Sequence, residues 1–158
     1  MNLLSKSLLL TVVVLGFGGG LPTLAAEPQA HAGAAVAIQL PLDHGNKWQT
    51  DDILRRGMSE IGLAMAESLH PIHNDSFTPA QYEALAGRVE AQVDYVVGNC
   101  TLSERADQQL HFVLEQIIDG SAAMKAGTGR NQGAVKIVQA LAKYGEYFDH
   151  AGWQPLEP

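Results

Sequence analysis

The sequence predicts an all-α protein, an antiparallel up-down four-helix bundle that follows an N-terminal signal peptide. Three observations carry this expectation. Four apolar stripes recur at spacings of three and four residues, helix start and stop signals bracket them, and the turn between the second and third stripes is very short. The expected organisation is a signal peptide over 1–26, a flexible leader over 27–47 and a bundle over 48–155.

The N-terminus places Lys6 ahead of the apolar, glycine-containing run Leu8 to Leu21, the order of a secretory signal. Small residues Ala25 and Ala26 precede Glu27 and offer the cleavage site, with a later cut near Ala35 as an alternative. The run is broken by Gly18, Gly19 and Gly20 and falls short of the roughly 20 apolar residues a spanning helix needs. Export into the periplasm, without a retained membrane anchor, is therefore the expected localisation. Glu27 to Lys47 is rich in Ala, Gly, Pro and Gln and lacks a helical period.

The first helix is expected from Thr50-Asp51-Asp52, where carboxylates meet the positive end of the helix dipole, and carries Leu54, Met58, Ile61, Met65 and Leu69 up to a stop before Pro71. The second opens on Thr78 as N-cap, Pro79 at the first helical position and Gln81 completing a capping box. Its stripe is Tyr82, Leu85, Val89, Val93, Val96 and Cys100, and Gly98-Asn99 suit its end. Thr101 with Glu104 offers a capping box for the third helix, so the connection is short and its neighbours antiparallel. That helix carries Ala106, Leu110, Val113, Leu114, Ile117, Ser121 and Met124 and stops at Gly127-Thr128-Gly129. The fourth carries Ala134, Ile137, Val138, Leu141, Gly145 and Phe148, ending at Gly152 and Pro155. No segment alternates apolar and polar residues as a half-buried strand does.

Composition narrows function. The formal charge is −7, and removing Lys6 with the signal leaves 9 basic against 17 acidic residues, 9 − 17 = −8. Such a chain repels phosphate, and nucleic acid is not an expected partner. A single cysteine, Cys100, forms no internal disulfide, so packing must hold the fold. Motifs for covalent haem attachment, di-iron binding, zinc hydrolysis, serine hydrolysis and phosphate binding are missing from the sequence, and an enzyme is not expected.

Four side-chain groups remain as candidates. Met58, about 10 Å down the first helix, and His111, about 13 Å down the third, lie at one height and could ligate copper or haem b between them. The alternative is that Met58 fills core and His111 pairs with Asp107 one turn earlier. Cys100 is either buried and inert or a thiol open to oxidation, intermolecular pairing or copper. His70, His73 and Asp75 cluster after the first helix and could bind a divalent cation, or are solvated loop residues. Trp48, Tyr147, Phe148, His150 and Trp153 gather where the two ends of the bundle meet, either capping the core or forming an exposed partner patch.

The signal segment, Lys47-Trp48-Gln49-Thr50-Asp51, Tyr95 to Cys100, Ala106-Asp107 with Leu110-His111, and Tyr147 to Trp153 together resemble a family of small periplasmic proteins of Proteobacteria, some labelled DnrO-like. The resemblance covers nearly the whole mature chain and implies export and a helical bundle, with no activity or site attached. The architecture is also similar to cytochrome b562 and cytochrome c′. The chain departs from both, having no Cys-x-x-Cys-His and no histidine inside the fourth helix, since His150 falls at or beyond its end. The functional expectation is an exported, non-enzymatic bundle acting through protein interaction or in a stress response, with a copper or haem b bundle as the alternative.

Overall fold

A computed structural model of the chain describes residues 40–156, and the expected signal peptide and most of the expected leader lie outside them. The described part is all-α with four helices: α1 (Asp52–His73), α2 (Pro79–Asn99), α3 (Glu104–Lys125) and α4 (Arg130–Tyr147). Two short strands, β1 (Trp48–Gln49) and β2 (Phe148–Asp149), pair in parallel with Trp48 opposite Phe148. At two residues each they are too short to show any alternation in the sequence, which is why none was expected.

Helix ends follow local chemistry. Asp51 caps α1, its Oδ1 accepting from Leu54 N at 2.7 Å, while its Oδ2 accepts from Thr101 N at 2.6 Å. One carboxylate thus satisfies a helix terminus and ties the α2–α3 turn to the start of α1. The Thr78–Gln81 capping box is present in both directions. Thr101 does not cap α3 as expected; with its amide given to Asp51, the cap passes to Ser103, whose Oγ accepts from Ala106 N. α1 also runs through Pro71 to His73 rather than stopping before it. Proline in the last turn removes one backbone hydrogen bond, and the burial of Ile72 at 2 % exposure keeps the chain helical there.

Ion pairs bridge the neighbouring helices. Arg88 in the middle of α2 reaches Glu67 late in α1, Lys125 at the end of α3 reaches Glu90 in the middle of α2, and Lys136 in α4 reaches Asp119 in α3. These surface pairs contribute little energy but fix which helices are neighbours. α1 packs on α2 and α4, and α3 packs on the same two, so α1 and α3 are diagonal.

The core is sealed by Leu54, Met58, Ile61 and Met65 of α1, Leu85, Val89 and Val96 of α2, Leu110, Val113 and Ile117 of α3, and Ile137, Leu141 and Tyr144 of α4. The tightest seam is between α3 and α4. A Cβ at Gly133 would lie 2.5 Å from Gly120 O, and one at Gly120 would lie 2.7 Å from Gly133 O. Two glycines face each other where the backbones touch, a close approach that any side chain would prevent.

Candidate functional site

α1 and α4 make the loosest helix pair in the ring, and the segment after β2 fills the seam between them. This strap, residues 150–156, turns at Gly152, whose φ of +81° lies in the left-handed region. The turn drops the Trp153 ring over Gly145 of α4, where a Cβ would come within 2.5 Å of indole Cδ1, and toward Gly62 of α1. Trp153 also packs edge-on to Tyr144, at 4.8 Å between ring centroids.

Beside the strap lies a groove of about 670 Å³. Gly62, Leu63, Ala66 and Leu69 of α1 form one wall and Trp153, Pro155 and Leu156 the other, with Ser59 at one end and His70 and His73 at the far end. Leu63 projects from α1 with 57 % of its surface exposed. Helical spacing accounts for this wall, since Gly62, Ala66 and Leu69 recur at intervals of four and three and form a second apolar stripe beside the core stripe.

At the Ser59 end a short polar chain links three elements. Tyr144 Oη lies 2.9 Å from His150 Nδ1, and His150 Nε2 lies 3.4 Å from Ser59 Oγ. Burial drives the Tyr144 phenol far above its usual range, so its hydroxyl keeps its proton and can donate to Nδ1 or accept from it. The ring tautomer decides which of the two partners receives the imidazole hydrogen. Burial, helped by the Arg55 guanidinium, pulls His150 below the usual histidine value, and the ring is neutral near pH 7.

The residues singled out from the sequence are distributed as follows. Met58 and His111 are not brought together: Met58 is 0 % exposed in the core, whereas the His111 side chain is 68 % exposed and its Nδ1 lies 2.8 Å from Asp107 O of its own helix. Equal height along two helices does not fix rotation, and α1 and α3 lie diagonally. Cys100 is half-buried at the end of α2, and burial, then Asp51 and Asp107, raise its thiol above the ordinary value. His70 contacts Asn74 at the end of α1, and with His73 it borders the groove. Among the described residues no three His, Cys, Asp or Glu side chains converge as a metal cage would require.

The expected aromatic gathering is present. Trp48 and Phe148 are buried at 3 % and 1 %, His150 and Trp153 are half-buried, and Trp48 Nε1 donates to Pro41 O at 2.8 Å. Arg105 of α3 covers the Trp48 ring at 5.3 Å. Sequence reasoning missed Tyr144, the largest of the fully buried side chains; its signal was the spacing of three from Leu141.

No protein-family model, curated protein or solved structure matches the chain. Among the described residues no helix is long and apolar enough to cross a membrane. The site is thus defined by its own geometry: an apolar groove on a four-helix bundle, walled on one side by a strap.

Proposed function

We propose that the chain is an exported, non-enzymatic periplasmic bundle that acts by binding a protein partner, and that the partner seats an amphipathic helix in the groove along α1. The observation that carries this reading is the groove itself. From Ser59 to His73 it follows α1 for 15 residues, about 21 Å over the 14 rises of 1.5 Å between them, the length of three to four helical turns. Its walls are aliphatic and aromatic, with few polar groups, which suits the apolar face of a helix with anchors at every third or fourth position. Export rests on the basic-then-apolar N-terminus and the small residues at Ala25 and Ala26.

A photo-crosslinking residue at position 63, with a second at exposed Val97 of α2 as control, tests the partner in the producing cell. A discrete protein adduct from position 63 that is absent from position 97 is expected. Identical adduct patterns from both positions, or none from 63, would overturn the assignment. The mass of the mature protein tests export independently, and loss of the first 25 or 26 residues is the expected result.

A further inference from the structure

The strap is held by few points. On its α1 side lies the groove, and on its α4 side a second hollow of about 410 Å³ bordered by Lys47, Ala142, Gly145 and Glu146. Between the two, Trp153 rests on Gly145 by packing alone, for its indole Nε1 is buried without a hydrogen-bond partner. The polar tie comes from His150, which bridges Ser59 of α1 and Tyr144 of α4 and whose carbonyl accepts from Trp153 N at 3.1 Å.

We propose that His150 is a proton-sensitive latch: neutral, it holds the strap across the α1–α4 seam, and protonated, it lets Trp153 leave Gly145 and widens the groove for the partner helix. The regulatory consequence rests on the groove reading above; the latch does not.

The chemistry follows from which atoms hold hydrogens. In the neutral tautomer that carries its hydrogen on Nε2, Nδ1 accepts the Tyr144 hydroxyl hydrogen. A proton added at Nδ1 turns that bond around, so Tyr144 Oη must accept and its own hydrogen loses its partner in a buried site. The surrounding charges do not relieve this. From α1, Arg55 is cationic and engages Asp52 and Thr50, while Asp51 is occupied by Leu54 N and Thr101 N. From α4, Glu146 is paired with Lys143. Ahead of β1, Lys47 borders the same hollow as His150, and in β2 Asp149 accepts from Gln49. Two cations and already-engaged carboxylates favour expulsion of a charged imidazole into water. Gly152, with open space around its Cα, supplies the pivot.

The test is hydrogen exchange of the Trp153 indole N–H on the mature protein, followed by NMR between about pH 7.5 and pH 5 and corrected for intrinsic rates. Protection is expected to fall by roughly tenfold while the amides of Val113 and Ile137 stay protected. His150→Gln and His150→Phe should abolish the pH response, and Gly145→Ala should expose Trp153 at every pH. A pH-independent Trp153 in the native protein, or the same response in both His150 variants, would overturn the latch. Absence of any position 63 adduct at either pH removes the partner reading, while the exchange experiment still decides the latch.

Discussion

Replacing Gly133 with alanine puts a methyl carbon 2.5 Å from Gly120 O, 2.9 Å from Met124 N and 3.0 Å from the Ala123 Cβ. A relaxed carbon–oxygen contact needs about 3.3 Å, so α3 and α4 must part by up to roughly 0.8 Å at their closest point. The obstacles are mostly backbone, which cannot swing aside as the end of a side chain does. A gap of 0.5–1 Å forfeits about a quarter to a half of each dispersion contact along the seam, and overpacking of this kind costs about 1–3 kcal/mol or more. Alanine recovers about 1 kcal/mol of helix propensity, so the net loss is expected near about 1 kcal/mol. Gly87 of α2 gives the control, since a Cβ there meets nothing within 4 Å. Gly87→Ala should therefore stabilise by about 0.5–1 kcal/mol. Urea unfolding of the protein, followed by circular dichroism, should show the two midpoints moving in opposite directions. A Gly133→Ala midpoint at or above the native value would refute the argument that the α3–α4 backbones touch.

Other outcomes follow from the same structure. Met58→Ala should cost about 2–5 kcal/mol as a core cavity, whereas His111→Ala should stay within about 0.5 kcal/mol; similar losses in urea midpoints would contradict their separate surroundings. Thr78→Ala removes the side-chain half of the α2 capping box, leaving the backbone amide at 78 bonded to Gln81, and should cost about 1 kcal/mol by the same assay. Folding lowers the His150 value, so the unfolded chain binds that proton more tightly. Its contribution is complete above the ordinary value of 6.5, declines as pH falls through 6.5 and levels off below the folded value. The difference in urea midpoint between the native protein and His150→Gln should therefore change across this window and be flat above it. Cys100, its thiol raised by burial, should alkylate with iodoacetamide more slowly than a free cysteine at neutral pH; an equal or faster rate would contradict the half-buried placement.

The helices were legible because their signals are local. Thr78-Pro79 with Gln81, and stripes at spacings of three and four, depend on neighbours within a few positions, and α2 and α3 bury nearly the residues that the spacing selects. Errors arose where a distant contact decided. Thr101 gave its amide to Asp51, 50 positions away, and the α3 cap fell to Ser103, while Pro71 was carried into α1 by the burial of Ile72. Tyr144 was passed over for Gly145, and both serve: the tyrosine fills the core and the glycine makes room for Trp153. The groove was not read from the sequence: Leu69 of its α1 wall was placed on the core stripe, and it is only partly buried. Its other wall comes from an aperiodic strap, whose course nothing in its own spacing dictates.

The pairing of Trp48 with Phe148 joins positions 148 − 48 = 100 residues apart, and together with the α1–α4 packing it closes the four helices into a ring. Each consecutive helix pair closes a short loop, but the clasp must close across the whole bundle. Weakening the clasp should leave helix content largely intact and act chiefly on the rate at which the ring shuts.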